Sequence, residues 1–212
     1  MNTTVYLIRH GEVVYPRSKS RGKLVYGPTA HLSTYGEKQI HDLAETFGLT
    51  GVKLDALYTS PLNRAVETAQ IFSNQYHIPP IIVKDLRDVE SPAADQGMMM
   101  DELKALKGDT YSLPGHESQA HLTERITRSF GEILEDNQGR TIAIFGHGDP
   151  IRVLIYRLKN PEGKMPSMKK LAKSDYLDKS QAWRLVFDQE SRLIESEVVT
   201  AEGSIKPPER KF

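Results

Sequence analysis

Short apolar runs alternate along this chain with stretches in which apolar residues recur every three or four positions. Val5–Ile8 is a continuous apolar run closed by a charged cluster and a glycine, the pattern of a strand buried on both faces. From Thr34 the period changes. Thr34 and Glu37 are spaced as a capping box, and Ile40, Leu43, Ala44 and Phe47 then line one face of a helix. Ala56–Thr59 reads as a second strand. Ser60 and Pro61 follow as N-cap and first helical residue, and Leu62, Ala65, Val66, Ala69, Phe72 and Tyr76 mark the apolar side of that helix. Ile81–Val83 is a third strand candidate.

An irregular stretch at Ser91–Gly97 leads into a helical pattern at Met99–Leu106, broken by Gly108 and Pro114. A longer helix is expected from Ser118, with Leu122, Ile126, Phe130, Ile133 and Leu134 inward. Thr141–Phe145, β-branched and apolar, runs through Gly146, His147 and Gly148 into Asp149 and Pro150, a cap and first-turn pair. Ala182–Phe187 and Leu193–Val199 have the pattern of antiparallel partners joined near Asp188–Ser191. Residues 202–212 are mostly polar with two prolines and are expected to form a flexible tail.

Strands alternating with helices predict a three-layer α/β/α domain over residues 1–201, with a mostly parallel sheet and an antiparallel edge strand. No internal repeat or linker divides it. In such folds ligands bind beyond the C-terminal ends of the strands.

Composition narrows the chemistry more than the fold. Among 212 residues, 28 basic side chains balance 28 acidic ones, so no overall field draws the protein to nucleic acid or an anionic membrane. A preference for phosphate must therefore be local. The chain has no cysteine, which removes disulfides, thiolate nucleophiles and thiolate metal sites. No segment approaches the roughly 20 apolar residues of a membrane helix, and the first residues lack the basic start and apolar stretch of a signal peptide. The expectation is a cytoplasmic protein, with oligomeric state left open.

Two of the predicted strands end in histidine. Arg9 and His10 close the first, and His147 lies between two glycines before a capped helix, where a helix N-terminus favours an anion. Arg64 falls one turn into its helix, from which its guanidinium can share a ligand with Arg9. The alternative for Arg64 is an exposed residue paired with Glu67 or Glu37. Two arginines, two histidines and a helix end converging on one point describe a dianion site with no metal requirement. The surrounding positive charge disfavours imidazolium and keeps one histidine neutral enough to attack phosphorus.

Four blocks in order carry a family resemblance. They are Leu7-Ile8-Arg9-His10-Gly11-Glu12, Thr59-Ser60-Pro61-Leu62-Asn63-Arg64-Ala65-Val66-Glu67-Thr68-Ala69, Gly115-His116-Glu117-Ser118 and Phe145-Gly146-His147-Gly148; Leu32-Ser33-Thr34-Tyr35-Gly36 adds a fifth element. Together they resemble the histidine phosphatase superfamily, in its phosphoglycerate mutase-like branch.

The resemblance implies that His10 attacks phosphorus and becomes a phosphohistidine, while Arg9, Arg64 and His147 hold the phosphoryl oxygens. Gly11, Glu12, Gly27 and Gly148 occupy matching positions around the substrate, with Tyr26 and Gly27 standing where the family has a Gln-Gly step. Val13 takes the place of a Ser or Thr. Asp88 matches the family's acidic proton donor, which is a glutamate elsewhere; Glu90 is the alternative acid, and a pair of solvated loop charges is the third reading. Glu117 is expected either to anchor its loop near His10 or to cap the next helix.

The expected activity is hydrolysis of a small phosphate monoester without metal or cofactor. A phosphoglycerate mutase is the nearest rival, but the family's mutases carry Arg-Tyr-Gly and a longer insertion after the acid, where this chain has Ser91-Pro92-Ala93. A non-catalytic phosphate-binding protein is the other alternative. Substrate choice is expected to rest on residues 13–27, 90–113 and 159–180. The lysines 164, 169, 170 and 173 are read as a solvated basic face or as attraction for a second anionic group.

Overall fold

Every second residue of the central strands faces the same helical layer. In β1 (Thr3–Arg9), Val5 and Leu7 point to one layer and Tyr6 and Ile8 to the other; β4 (Thr141–Gly146) divides likewise between Ile142, Ile144 and Ala143, Phe145. Both faces are apolar because both are covered. The computed structural model describes residues 1–15, 26–90, 98–99, 102 and 115–204. The expected loop at Ser91–Gly97, most of the Met99–Leu106 helix and residues 205–212 lie outside these.

Seven strands form one sheet in the order β3-β2-β4-β1-β5-β6-β7, with β2 at Ala56–Thr59, β3 at Pro80–Ile82, β5 at Ala182–Phe187, β6 at Leu193–Thr200 and β7 at Gly203–Ser204. The first four are parallel to one another, and β5 to β7 extend the sheet antiparallel from β1. The antiparallel part is thus three strands wide, and its last strand lies in the segment read as a tail.

Helices α1 (Thr34–Leu49) and α2 (Asn63–Tyr76) cover one face through Ile40, Leu43, Phe47 and Phe72. Helices α3 (Gln119–Asp136) and α4 (Gly148–Lys159) cover the other through Leu122, Ile126, Phe130, Val153 and Leu154. Among the described residues no helix is long and apolar enough to cross a membrane.

Three helix starts differ from expectation. Ser33, not Thr34, caps α1, and its hydroxyl accepts from the Gly36 amide at 3.0 Å. Glu37 therefore closes no capping box with Thr34. Helix α2 begins at Asn63 without a side-chain cap, and α4 begins at Gly148, ahead of Asp149. Helix α3 begins where expected, and its cap is Ser118 rather than Glu117, the serine hydroxyl accepting from His121 N at 3.1 Å.

The turn after β1 is seated on α1 backbone to backbone. A Cβ on Gly36 would lie 2.0 Å from the Glu12 carbonyl oxygen, and one on Gly11 would lie 2.6 Å from that of Gly36. Any larger residue at either position would push the turn that follows His10 off the helix.

Candidate active site

Parallel pairing places the two histidines side by side. Ile8 is in register with Phe145 and Arg9 with Gly146, so His10 and His147 each leave the sheet one residue beyond a matched pair. Their ring centroids are 5.3 Å apart, and the two residues are 1% and 0% exposed. The His10 amide still donates to Gly146 O at 3.1 Å, which carries the ladder one step past the strand.

His10 is held in one tautomer. Its Nδ1 lies 2.8 Å from the Gly11 carbonyl oxygen, which can only accept, so Nδ1 carries the proton and Nε2 keeps its lone pair. Burial pushes the His10 imidazole well below its ordinary range, and the charges of His147, Arg64 and Arg9 act in the same direction. Dehydration ranks ahead of the surrounding positive charge that the sequence predicts as the cause.

His147 is down to about 3, from burial first and then Arg64, Arg9 and Arg125, with Asp88 opposing. Its Nε2 is 2.7 Å from the Ser60 hydroxyl, and its Nδ1 is 3.6 Å from Asp88 Oδ2. A proton on Nδ1 suits the facing carboxylate, and Nε2 then accepts from Ser60.

Arg64 is 3% exposed and donates through Nη2 to Asp88 Oδ2 at 2.8 Å. Of its expected alternative partners, Glu67 is occupied differently, accepting from Leu32 N and pairing with His31. Arg9 donates through Nη1 to Leu177 O at 2.6 Å. The buried nitrogens Arg9 Nε, Arg64 Nε, Arg64 Nη1 and His147 Nδ1 have no hydrogen-bond partner among the described residues. Buried donors are nearly always satisfied, so several on one cleft suit an anionic guest.

Of the two candidate acids, the structure brings Asp88 to this cluster. Its Oδ1 also accepts from Val89 N at 2.9 Å. Glu90 turns outward and pairs with Arg87 at 2.6 Å, its side chain 59% exposed. Glu117 lies beside neither histidine. It forms a buried pair with Arg125 and accepts from Glu90 N at 3.3 Å, so it anchors the loop that carries Asp88.

The glycines and their neighbours have packing duties of their own. A Cβ on Gly148 would sit 2.6 Å from the Tyr176 hydroxyl, whose ring lies 4.6 Å from the Arg9 guanidinium. Gly27 begins a turn in which its carbonyl accepts from Ala30 N, and the preceding Tyr26 ring lies 5.1 Å from the Arg64 guanidinium. Glu12 is 3.3 Å from Lys179 Nζ, which also reaches the Tyr15 hydroxyl at 2.7 Å.

Five of these residues, Ser60, Tyr15, Tyr26, Tyr176 and Lys179, are not individually named as site residues by the sequence, although all but Ser60 fall in the segments 13–27 and 159–180 expected to set substrate choice. Ser60 had a usable signal, since it follows the last residue of β2 as His10 and His147 follow β1 and β4. Tyr176 and Lys179 arrive from an irregular segment with no such marker.

The sequence profile of the histidine phosphatase superfamily, branch 1, matches residues 5–174. The chain belongs to that superfamily. An uncharacterized phosphatase of Bacillus subtilis, PhoE, is 25% identical over 166 residues, covering 78% of this chain and 82% of its own. A 2,3-bisphosphoglycerate-dependent phosphoglycerate mutase of Brucella anthropi is 25% identical over 178 residues, covering 74% and 82%. The solved structure of a mycobacterial glucosyl-3-phosphoglycerate phosphatase superposes with a TM-score of 0.73 at 18% identity over 94% of this chain and 98% of that one. Bacillus stearothermophilus YhfR superposes at 0.72, with 22% identity over 91% and 94%. This member of the superfamily therefore shares its fold with both, and its named relatives include phosphatases and mutases.

Proposed function

We propose that this protein is a phosphomonoesterase that works through a phosphohistidine on His10, with Asp88 as general acid and side chains supplying all the positive charge. The observation that carries this reading is the tautomer of His10 beside the unpartnered donors of Arg9, Arg64 and His147. A neutral imidazole with its lone pair on Nε2 is a nucleophile. Buried guanidinium and imidazole N–H groups around it suit phosphoryl oxygens and stabilise the charge that builds on them.

In the first step Nε2 bonds to phosphorus, the P–O ester bond breaks, and Asp88 gives its proton to the departing oxygen. A phosphate dianion draws the Arg64 fork toward itself, and its charge favours the protonated carboxyl at Asp88. In the second step Asp88 takes a proton from water, which displaces His10 and releases inorganic phosphate.

The substrate is a small phosphate ester whose leaving group meets Tyr15, Tyr26, Tyr176 and Lys179, the side chains packed about Arg9, Arg64 and Glu12. Phosphoryl transfer to a second hydroxyl is the other reading, favoured by the mutase relatives.

One experiment tests both. The protein is incubated in EDTA with an aryl phosphate and with 3-phosphoglycerate, and the protein and products are followed by phosphorus labelling. The expected outcome is release of inorganic phosphate with an acid-labile, base-stable label on the protein, both lost in His10→Ala with a fall in kcat/KM of at least about 10³-fold. Full turnover by His10→Ala would refute the mechanism. Isomerised phosphoglycerate forming faster than free phosphate would favour the mutase.

A further inference from the structure

Among the described residues, the largest fully buried side chain is a cation that touches neither His10 nor His147. Arg125, on α3, is 2% exposed and meets Glu117 through both arms of its fork, Nε to Oε1 at 2.5 Å and Nη2 to Oε2 at 2.7 Å. Burial would raise the Glu117 carboxyl, but the Arg125 fork, the Glu90 amide and His121 together hold it below the ordinary carboxylate range.

The rest of the fork reaches the acid loop. Nη1 donates to Asp85 O at 2.7 Å and Arg87 O at 3.0 Å, and Nη2 donates to Asp88 O at 3.0 Å. Glu117 closes the far end, its amide donating to Glu90 O at 2.9 Å while its carboxylate accepts from Glu90 N. One buried ion pair therefore holds the backbone of residues 85, 87, 88 and 90. Of the other ion pairs on this loop, Asp85 with Arg128 and Arg87 with Glu90 each have a partner more than half exposed, and pairs of that kind hold geometry weakly, while Asp85 with Arg87 ties the loop only to itself.

We infer that Arg125 and Glu117 are positioning residues that fix Asp88 at hydrogen-bond range of Arg64 and beside His147, and so set the efficiency of proton donation to the leaving group. This rests on Asp88 being the acid. Covalent attack at His10 does not depend on the pair, whereas protonation does, because a general acid must sit within about 3 Å of the oxygen it protonates.

The two steps respond differently to the leaving group. Dinitrophenolate leaves without a proton, but an alkoxide does not. The test compares wild type, Arg125→Lys, Asp88→Asn and the double variant Asp88→Asn/Arg125→Lys on 2,4-dinitrophenyl phosphate and on glycerol 2-phosphate, with folding checked by circular dichroism. Arg125→Lys is expected to lose about ten-fold or more in kcat/KM on glycerol 2-phosphate and less than about three-fold on the aryl ester. Adding it to Asp88→Asn should cost no more than about two-fold further, since both changes remove one function.

If Arg125→Lys does not fold, the paired apolar replacement Glu117→Leu/Arg125→Met removes the fork without leaving a lone buried charge, and the same selectivity is expected of it. Equal losses on both esters, no loss on either, or a full multiplicative loss in the double variant would overturn the inference. Alkyl-selective loss in Asp88→Asn without it in Arg125→Lys sinks only the positioning role. Absence of that selectivity in Asp88→Asn sinks the acid assignment and the positioning role with it.

Discussion

His10 and His147 reach the site from neighbouring parallel strands, whereas Asp88 reaches it from a loop that belongs to no strand. On the strand side, ladder hydrogen bonds and register do the placing, and each ring makes one further contact, Gly11 O for His10 and, from the end of neighbouring strand β2, Ser60 Oγ for His147. On the acid side, Asp88 depends on a guanidinium 37 residues away, itself held by a buried carboxylate. Regular backbone structure is a cheap positioning device because its geometry is already determined by the sheet. A loop carboxylate has no such frame, and here a buried ion pair takes the frame's place.

Arg64 touches both regions, so changing it is the strongest test of the division. Arg64→Met is expected to lower kcat/KM by about 10² to 10³-fold on aryl and alkyl phosphates alike, as loss of a transition-state cation does. Steady-state kinetics on the two substrate types checks this; a loss confined to alkyl esters would assign Arg64 to the acid side alone.

A second test uses pH and the strand side only. The folded protein keeps His10 and His147 neutral, His147 down to about 3, while the unfolded chain protonates both near 6.5. Below that pH the unfolded state binds more protons, so stability falls with acidification, by about 1.4 kcal/mol per pH unit for each histidine until its folded value is reached. Urea unfolding at pH 7, 6 and 5 should show this slope, and His147→Gln should reduce it by one proton's share. An unchanged slope would mean that His147 is protonated in the folded protein.

The smallest expected effect comes from Ser60→Ala. The change removes the bond to His147 and a longer one from Leu62 N at 3.3 Å, costs about 1 kcal/mol of stability, and leaves the His147 ring without the partner that orients it. A drop of a few-fold in kcat on both esters is expected, with thermal unfolding measured alongside. A drop on alkyl esters only would place Ser60 with the acid side.

Legibility in the sequence followed the same division. The strands β1, β2 and β4 were readable because a strand covered on both faces must be a continuous apolar run, and the residues just beyond them inherited a position from the fold. Arg64 was readable from its place in a helix, although its partner was not. Cap positions were misread where two capping residues stood together: Ser33 and Thr34 both qualify, and only the contact with Gly36 selects Ser33. Ser60 was read as a cap because serine before proline is a good one, but its hydroxyl lies against His147. Glu117 carried a motif and no direction, since a buried carboxylate is explained by its partner, and Arg125 sits on α3 with nothing nearby in sequence to mark it as different from Arg128.

The sequence by itself determined the layered α/β fold, the pair of histidine-bearing strand ends and the arginines that accompany them, because periodicity and strand-end position are local properties. Only the tertiary structure decided which carboxylate faces the histidines, which hydroxyl orients His147 and which buried cation holds the acid loop. Those depend on side chains that meet across the sheet and between helices, where distance along the chain carries no information about distance in space.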